Sequence, residues 1–457
     1  MNKPLHIVIL AAGEGTRMKS SLPKVLQPLG GRPMLAHLLD TARELAADGV
    51  HVVIGSGAEA VRSAFADQDV DWVFQEERKG TGHAVMQAMP NLPEEAEVLV
   101  LLGDHPLVPA RVLAEMQVDD QQPLSILTVE LKNPAGYGRV LRNLEGFIMG
   151  VVEHKDASPA QLDIREINTG IIMADAAALR RWLAKLDCDN AKQEYYLTGI
   201  FELAHGEGSD IGGVLAADTR DLRGANDRSQ LARLERRYRQ RAAGELMDAG
   251  VHLIDPERLD VRGLVEAGRD VYLDANVVLE GHIRLGDGVS IGPGCCLKDC
   301  DLAAGTKVLA NSVLEGVRTT GACDIGPFAR LRPGTELSEG CRIGNFVEAK
   351  NARLGPGSKA SHLTYLGDSE IGSRVNIGAG TITCNYDGAN KHRTVIEDDV
   401  FVGSNTEIVA PVTLHRGATI GAGSTITKDA PEDTLTLSRA RQSSLKSWKR
   451  PRKDTGK

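Results

Sequence analysis

The chain has 457 residues, more than one hydrophobic core accommodates, so two or three domains are expected. Its net charge of −9 disfavours general nucleic-acid binding, although local cations can still bind small phosphorylated substrates. No apolar run approaches membrane-spanning length and no signal-peptide pattern is present, so no membrane association is expected. Seven cysteines without a Cys-x-x-Cys pair are typical of a reduced, cytoplasmic protein.

The first strand-like segment runs directly into a glycine loop. His6–Leu10 is an apolar run typical of a buried parallel strand. Gly13 and Gly15 follow, and their small size lets backbone N–H groups approach a polyphosphate, while Arg17 and Lys24 supply positive charge. Dinucleotide spacing and the Gly-Lys-Ser/Thr of a Walker loop are both absent. The segment therefore predicts a nucleotide-binding loop of another type at the end of a first strand.

Up to about residue 225, strand-like and helix-like segments alternate. Val50–Ile54, Val98–Leu102 and Leu124–Val129 have the character of buried strands. Met34–Leu45 is amphipathic with helical spacing. The alternation predicts an α/β domain with a largely parallel sheet over residues 1–225. Apolar residues at helical spacing within 226–250 then predict one long linking helix.

After residue 270 an aliphatic residue recurs every six positions. A period of six suits a triangular coil of short strands, in which the aliphatic residue points inward and stacks on the coils above and below. The repeat predicts a parallel β-helix domain over 251–457, ending in a basic tail from Arg439. Polar residues interrupt the period between Cys384 and Arg393, which is typical of a loop that builds a binding site.

Polar residues at key positions point to chemistry in both halves. Asp104 follows a buried strand, which places its carboxylate where a metal ion bridging phosphates would lie. In the repeat half, Arg332, Lys350 and His362 occupy an array that otherwise favours small or apolar side chains. Two cations and a histidine, whose ordinary pKa lies near neutral, predict a phosphate site with a general base.

The loop motif and the later positions carry a family resemblance. The string Leu10-Ala11-Ala12-Gly13-x-Gly15-Thr16-Arg17-Met18 with Leu22-Pro23-Lys24 resembles the signature of sugar-1-phosphate nucleotidyltransferases. Over essentially its whole length the chain resembles the bacterial bifunctional N-acetylglucosamine-1-phosphate uridyltransferases and glucosamine-1-phosphate acetyltransferases. The resemblance implies an α/β protein with a Rossmann-like nucleotidyltransferase domain, a linking helix and a left-handed parallel β-helix that forms a homotrimer.

The same resemblance implies the reactions. Glucosamine-1-phosphate is N-acetylated with acetyl-CoA in the C-terminal domain. The product then receives the uridyl group of UTP in the N-terminal domain, with Mg²⁺ bound and pyrophosphate released. The resulting UDP-N-acetylglucosamine feeds peptidoglycan and lipopolysaccharide synthesis.

Residue roles in uridyl transfer also follow from the resemblance. Arg17 and Lys24 are the implied catalytic cations, and Asp104 and Asn226 the implied Mg²⁺ ligands. The residues implied in binding UTP and the nucleotide-sugar product are Leu10, Ala11, Ala12, Gly13, Lys24, Gln75, Gly80, Thr81, Gly103, Asp104, Gly138, Glu153, Asn168 and Asn226.

In acetyl transfer, His362 is the implied base and Glu348 the residue that orients it. Residues implied in binding glucosamine-1-phosphate are Arg332, Lys350, Tyr365 and Asn376. Residues implied in binding acetyl-CoA are Ala379, Asn385, Tyr386, Ser404, Ala422 and Arg439, of which Asn385 and Tyr386 are implied to contact the sugar phosphate as well.

Two alternatives assign the repeats a different role. ADP-glucose and GDP-mannose pyrophosphorylases also join a nucleotidyltransferase domain to hexapeptide repeats, but use the repeats for assembly or regulation. A purely structural, trimerising scaffold is the other possibility. The pyrophosphorylases do not require His362 and Tyr365 together with Asn385 and Tyr386, so these four residues disfavour them. A scaffold gives no reason for Arg332, Lys350 and His362 to occur together, so the bifunctional enzyme is favoured over both.

Overall fold

A computed structural model describes residues 3–190 and 193–453. The chain divides into two compact units, Met1–Arg241 and Ala242–Lys457. The division falls inside the long helix, which spans Arg228–Asp248 and lies within the predicted linking segment 226–250.

Packing of the long helix explains where the chain divides. Leu231 and Leu234 are buried in a cluster with Leu29 of the first unit. Ala243 and Leu246 instead belong to the core of the second unit. One continuous helix therefore contributes an apolar face to each core, a feature that helical periodicity alone does not reveal.

A mostly parallel sheet forms the centre of the first unit. Seven of its described strands form one hydrogen-bonded row, which we call the main path. In this row, Glu166–Asp175 alone runs antiparallel to its neighbours. The hairpin of Arg139–Arg142 and Ile148–Val152 pairs with that strand, and Pro28–Leu29 pairs with Arg32–Pro33 as a separate ribbon. The order of strands across the main path is Ile211–Leu215, Leu124–Glu130, Glu166–Asp175, Glu97–Leu102, Leu5–Leu10, Gly49–Ile54 and Asp71–Phe74.

Successive residues of the first strand point to opposite faces of the sheet, and each face is buried. Val8 belongs to one apolar cluster, whereas Ile7 and Ile9 belong to another. The α-helices are Met34–Glu44, Ala58–Ala64, Thr81–Ala88, Ala110–Leu113, Pro159–Leu162, Ala176–Leu183 and Gly199–Gly206, and the 3-10 helices are Thr16–Met18, Lys24–Leu26 and Met89–Asn91. Throughout the part of the chain that the structure describes, no helix has both the length and the apolar character needed to cross a membrane.

The strand order creates a crevice at the end of the first strand. Leu5–Leu10 lies between Gly49–Ile54 on one side and Glu97–Leu102 on the other. The connections on its two sides leave in opposite directions, so a space opens at its carboxyl end. There the N–H of Gly103 donates to the carbonyl of Leu10 at 3.0 Å, which holds the loops after the first and fourth parallel strands together.

The second unit is a parallel β-helix with a triangular section. Its first sheet has 11 strands: His252–Leu253, Tyr272–Leu273, Ser290–Ile291, Lys307–Val308, Asp324–Ile325, Arg342–Asn345, Lys359–His362, Asn376–Ile377, Phe401–Val402, Thr419–Ile420 and Leu435–Thr436. Coils therefore begin before residue 270, where the sequence period first becomes regular.

A 15-stranded sheet forms the other two faces. It bends around one edge because long strands pair with different partners at their two ends, as when Glu348–Leu354 pairs with Arg330–Leu331 and with Glu336–Leu337. The strands are Asp260–Ala267, Val278–Leu285, Cys296–Lys298, Asp301–Leu302, Val313–Glu315, Arg318–Thr319, Arg330–Leu331, Glu336–Leu337, Glu348–Leu354, Tyr365–Ile371, Ile382–Cys384, Thr394–Ile396, Glu407–Val409, Val412–Leu414 and Thr425–Ile426. One 3-10 helix, Pro256–Arg258, precedes them.

The inward aliphatic residues and the small fillers behave as the repeat predicts. The aliphatic residues at period six are buried in one continuous core: Leu285, Ile291, Leu297, Ile325, Leu331, Leu337, Ile343, Ile371, Ile377, Ile396, Val402, Ile408, Leu414, Ile420 and Ile426. Cys295, Cys300, Cys323 and Cys341 fill the same core, and all seven cysteines are free thiols. The interruption is confirmed as a loop, because one strand ends at Cys384 and the next begins at Thr394.

The core of the β-helix provides a stability test with a matched control on one strand. Ile408 is fully buried, whereas its neighbour Val409 is 37% exposed. We expect Ile408→Ala to lower the free energy of unfolding by about 2–5 kcal/mol, because it leaves a cavity between coils. Val409→Ala should change it by about 0.5 kcal/mol or less. Urea unfolding followed by circular dichroism measures both, and equal effects would contradict the assigned register.

Candidate active sites

A cavity of about 370 Å³ opens at the carboxyl end of the first strand of the sheet. It is lined by the glycine loop, by the segment that leads into the helix Thr81–Ala88, and by the end of the strand Glu97–Leu102. The predicted residues that line it are Leu10, Ala11, Ala12, Gly13, Lys24, Gln75, Gly80, Thr81 and Asp104. Gly103 lies beside the cavity, where its N–H bonds to Leu10.

The glycine loop positions Lys24 by folding back onto it. Gly15 has φ +65°, the left-handed region that glycine adopts without strain. A Cβ at this position would lie 2.7 Å from the Cβ of Lys24, closer than van der Waals contact allows. Glycine at residue 15 therefore permits the close approach that brings Lys24 to the cavity.

Two cationic side chains and two side-chain oxygens that accept hydrogen bonds converge beside this loop. The ammonium of Lys24 donates to the carboxylate of Asp104 and, at 2.7 Å, to Oδ1 of Asn226. Nη2 of Arg17 donates to the same Asn226 oxygen at 2.9 Å. Burial alone would raise the pKa of Asp104, but the positive charges of His105 and Lys24 outweigh it, so the pKa is lowered.

This oxygen pair suits a hard cation. An ionised carboxylate and an amide oxygen, both within reach of one ammonium, are the ligand types that Mg²⁺ prefers, and Mg²⁺ completes its shell with water and phosphate. Over residues 3–190 and 193–453, no cluster of three or more His, Cys, Asp or Glu side chains suits a metal ion. Asp104 and Asn226 thus fit a magnesium ion that is bound largely through its substrate.

The predicted uracil-binding residues are held in place by polar contacts. Gln75 is buried, and its Nε2 donates to the carbonyl of Gly80 at 3.3 Å and contacts Nδ1 of His83 at 3.0 Å. Oγ1 of Thr81 accepts the N–H of Leu197 at 3.2 Å. Gln75 therefore enters the cavity wall with its orientation already determined.

The predicted sugar-binding residues also come together. The N–H of Asn168 donates to the carbonyl of Gly138 at 3.0 Å. A Cβ on Gly138 would lie 3.7 Å from the carboxyl carbon of Glu153, whose Oε1 accepts from Thr198 Oγ1 at 3.2 Å. These contacts place the carboxylate of Glu153 beside the backbone of Gly138.

Sequence reasoning did not identify two charged residues of the cavity wall, Arg78 and Glu194. Arg78 Nη2 forms an ion pair with Glu14 Oε1 at 2.5 Å, which joins the cavity wall to the glycine loop. Glu14 lies between the two glycines of the loop motif, and only the fold brings Arg78 opposite it.

In the second unit, His362 is oriented by the residue below it in the stack. Asn345 and His362 are register partners on adjacent coils. Nδ1 of His362 lies 2.8 Å from Oδ1 of Asn345. An amide oxygen only accepts hydrogen bonds, so Nδ1 carries the proton and Nε2 keeps its lone pair.

The orienting role expected of Glu348 stays a prediction, because in the structure Glu348 and His362 have different hydrogen-bond partners. Glu348 is the register partner of Tyr365, three residues beyond His362. Its Oε1 accepts from Nη1 of Arg332 at 2.9 Å, so its hydrogen bond is with a predicted phosphate-binding residue. Glu348 begins a strand of the 15-stranded sheet, whereas His362 ends a strand of the 11-stranded sheet.

Three cations gather where the sugar phosphate was predicted. The positive charge of Lys391, followed by that of Arg332, lowers the pKa of Lys350. Lys391 belongs to the interrupting loop, where its backbone forms an isolated antiparallel β-bridge with that of Tyr386. Sequence reasoning did not single out Lys391. Mutual repulsion among the three cations would be relieved by a bound anion.

A glycine lets two further predicted residues meet. A Cβ on Gly367 would lie 2.5 Å from Oη of Tyr365 and 2.8 Å from Nδ2 of Asn385. That amide nitrogen donates to the carboxylate of Asp368. Burial would raise the pKa of Asp368, but hydrogen bonds from Asn351 and Asn385 outweigh it and lower the pKa.

Three of the residues predicted to bind acetyl-CoA lie in line with His362 on successive coils, and we call this line of residues the column of His362. Ala379, Ser404 and Ala422 each lie two residues beyond strand positions that pair coil by coil, so they follow one another along the stack. At its end, Nη1 of Arg439 donates to the carbonyl of Ala422 at 2.7 Å. From Arg439 to Lys453 every residue is exposed and outside helices and strands, and residues 454–457 lie outside the described range.

Two predicted residues lie apart from this column. Asn376 pairs with Lys359, three residues before His362. Tyr386 is exposed on the interrupting loop and donates its hydroxyl to the carbonyl of Gly388 at 2.6 Å.

Comparisons with known families agree with both halves. Residues 7–130 match the family model of MobA-like NTP transferase domains, and residues 393–428 match the bacterial transferase hexapeptide repeats, six in number. Fold, sites and family matches define the chain as a two-domain transferase, in which a nucleotidyltransferase is joined to a hexapeptide acyltransferase.

Curated relatives extend the match to the whole chain. Bifunctional protein GlmU of Stenotrophomonas maltophilia strain K279a is 56% identical over 454 residues, covering 99% of this chain and 100% of the relative. Bifunctional protein GlmU of Alkalilimnicola ehrlichii is 54% identical over 451 residues, covering 99% and 97%. The chain belongs to the GlmU family.

The chain is accordingly a bifunctional enzyme that makes UDP-N-acetylglucosamine. It N-acetylates glucosamine-1-phosphate and joins the resulting N-acetylglucosamine-1-phosphate to the uridyl group of UTP. The UDP-N-acetylglucosamine so formed serves cell-wall synthesis. The match at this identity over the full length favours this function over a pyrophosphorylase with regulatory repeats and over a scaffold.

Asn345 is expected to be a positioning residue for acetyl transfer. Asn345→Ala should lower kcat for acetylation roughly ten- to hundredfold, because the imidazole loses the acceptor that selects its tautomer. Asn345→Asp keeps an acceptor, and its carboxylate favours the protonated ring, so the acid limb of the kcat–pH profile should move to higher pH.

Uridyl transfer by the same variants is the internal control. It takes place in the other unit, so both Asn345 variants should retain the wild-type rate. Full acetylation by Asn345→Ala with an unchanged pH profile would show that Asn345 has no orienting role.

Proposed function

We propose that uridyl transfer takes place in the cavity at the end of the first strand. A phosphate oxygen of N-acetylglucosamine-1-phosphate attacks the α-phosphorus of UTP in line, and pyrophosphate leaves with the electrons of the broken P–O bond. No protein nucleophile is needed. The observation that carries the assignment is the convergence of Arg17, Lys24, Asp104 and Asn226, which supplies charge where negative charge develops.

We further propose that Asp104 and Asn226 hold Mg²⁺, which would supply neutralisation of the phosphate charge. Their oxygens are satisfied by Lys24 in the structure. When the oxygens hold the metal ion, the ammonium of Lys24 is free to bind the leaving phosphates together with Arg17. Gln75 and Thr81 bind the uracil edge, and Gly138, Glu153 and Asn168 bind the sugar.

In the second unit, His362 acts as the general base. The amine of glucosamine-1-phosphate attacks the thioester carbonyl of acetyl-CoA, the C–N bond forms, and coenzyme A leaves as the thiolate. The amine proton passes to Nε2 of His362, the nitrogen left free by the contact of Nδ1 with Asn345. The proton can then return to the leaving thiolate, so the step balances.

The positions of the two substrates follow from the cluster of three cations and from the column of His362. Arg332, Lys350 and Lys391 bind the phosphate of the sugar, because a bound anion relieves the repulsion between their positive charges. Acetyl-CoA lies along Ala379, Ser404 and Ala422, which succeed one another at about 4.8 Å per coil. Asn385 and Tyr365 contact the ligands beside the base.

We also propose that the enzyme is a homotrimer that works in the cytoplasm. Phe328, Phe346 and Leu363 are exposed, and the two phenyl rings stack at 5.4 Å, which makes an apolar strip that association between chains would bury. Leu363 directly follows His362, so such an interface would lie beside the base. Seven free cysteines fit a reducing compartment.

The test of the two-site assignment is the product spectrum of a His362 variant. With glucosamine-1-phosphate, acetyl-CoA, UTP and Mg²⁺, wild type should form UDP-N-acetylglucosamine, detected by mass spectrometry. His362→Ala should lose acetylation by about a hundred- to ten-thousandfold, the range for a general base. It should still use N-acetylglucosamine-1-phosphate at the wild-type rate.

A matched control replaces another exposed histidine of the β-helix. His282 lies on the strand Val278–Leu285 and pairs with Glu266. His282→Ala should keep both activities, and loss of acetylation in this variant to the same degree would mean that the assay reports folding.

Metal removal should separate the two reactions. Chelation of Mg²⁺ should abolish uridyl transfer and leave acetyl transfer intact. Asp104→Asn should lower uridyl transfer at least about a hundredfold, because the phosphate charge loses its neutralising partner. Asp67, exposed on the same unit, provides the control Asp67→Asn, which should have no effect. Undiminished uridyl transfer in Asp104→Asn would contradict the assigned ligand.

A further inference from the structure

A second and larger depression lies in the first unit, apart from the nucleotide cavity. Its volume is about 930 Å³, and it shares no lining residue with that cavity. One wall is the first half of the long helix, and another is the end of the strand Leu124–Glu130 with the residues that follow it. We call this depression the arginine groove.

The lining of the groove is strongly basic in an acidic protein. Six of its residues are arginine or lysine, whereas Glu130 is the single acidic one. The whole chain carries a net charge of −9, so this concentration of positive charge runs against its composition. Local potentials of this kind attract anions even to an acidic protein.

Two of these cations form ion pairs with neighbouring carboxylates. Arg237 Nη2 donates to Asp221 Oδ2 at 2.9 Å. Arg220 donates to Asp218 at 2.8 Å and is the largest cause lowering the pKa of that carboxyl to about 2. These pairs neutralise Arg220 and Arg237.

The other four cations have no partner among the residues that the structure describes. Lys132, Arg223, Arg233 and Arg236 are exposed, and none forms a hydrogen bond or ion pair with the described residues. Arg233 and Arg236 are three positions apart on one helix, a spacing at which like charges repel and weaken the helix. Helix stability therefore does not account for their accumulation along one wall.

The floor of the groove is apolar. Leu222 and Leu234 are buried, and Ile167 is buried on the strand next to Asn168. Because adjacent residues of a strand point to opposite sides, the groove lies on the other side of this strand from the predicted sugar contact of Asn168. Tyr137, 41% exposed, presents a ring at the rim, where a base or sugar could stack.

We propose that the arginine groove is a second anion-binding site, which takes a small ligand with a chain of two or more phosphates, such as a nucleoside polyphosphate or inorganic polyphosphate. Four unpaired cations around one depression match the charge of a triphosphate. The groove has room for a nucleotide, and guanidinium groups bind phosphate oxygens through two parallel hydrogen bonds.

The test measures binding of inorganic tripolyphosphate to the full chain by isothermal titration calorimetry. The groove variant is Arg223→Ala/Arg233→Ala/Arg236→Ala. Binding at the catalytic loop is common to all proteins compared, so the difference between them reports the groove. Wild type should bind one more tripolyphosphate per chain than the variant, and the affinity of that site should fall roughly tenfold for each arginine removed singly.

Two further variants separate charge from folding. Arg223→Lys/Arg233→Lys/Arg236→Lys keeps the positive charge and should retain most of the binding, which should weaken as salt is raised. Arg62→Ala/Arg111→Ala removes two exposed cations elsewhere on the same unit and should bind like wild type. Uridyl transfer at saturating substrate should be unchanged in every variant, because none of these residues lines the catalytic cavity.

UTP titration distinguishes the two sources of the phosphate chain. A groove site that binds UTP more tightly than tripolyphosphate indicates a nucleotide ligand with its base on Tyr137, and equal affinities indicate recognition of phosphate alone. Equal stoichiometry in wild type and the groove variant would overturn the proposal. So would an equal loss of binding in the Arg62→Ala/Arg111→Ala control.

Discussion

Each short strand of the β-helix buries its aliphatic residue only against the coils above and below it, and the acetyl-transfer site depends on this constraint. A shift of register by one residue would expose the whole inward set, so the stack admits one register. That register places Asn345 under His362 and brings Ala379, Ser404 and Ala422 into line with them. The packing that stabilises the β-helix thus also determines the geometry of the proposed acetyl-transfer site.

The proposed uridyl-transfer site depends instead on compensation between neighbouring opposite charges. Buried strands end at the same edge of the sheet, and the charged groups that follow them are forced close together in a partly dry environment. Lys24 and Asp104 tolerate this environment because each compensates the other, with Asn226 completing the contact.

The candidate site residues follow recognisable local patterns in the sequence, whereas the contacts between them join distant segments. His362 was identified as the base, but Glu348 was expected to orient it. In the structure the hydrogen-bond partner of His362 is Asn345, whereas Glu348 accepts from Arg332. Lys391 and Arg78 were missed for a similar reason, since each acquires its meaning from a partner far away in the chain.

The sequence by itself determined the two fold classes, the long helix, the interrupting loop and the residue types of both sites, because hydrophobic period and motif spacing are local properties of a chain. Only the tertiary structure decided which side chains meet. Pairing across coils, the division of one helix between two cores and the gathering of unpaired arginines around one groove all depend on contacts between residues distant in sequence. Such contacts are set by packing and charge in three dimensions, and no local pattern encodes them.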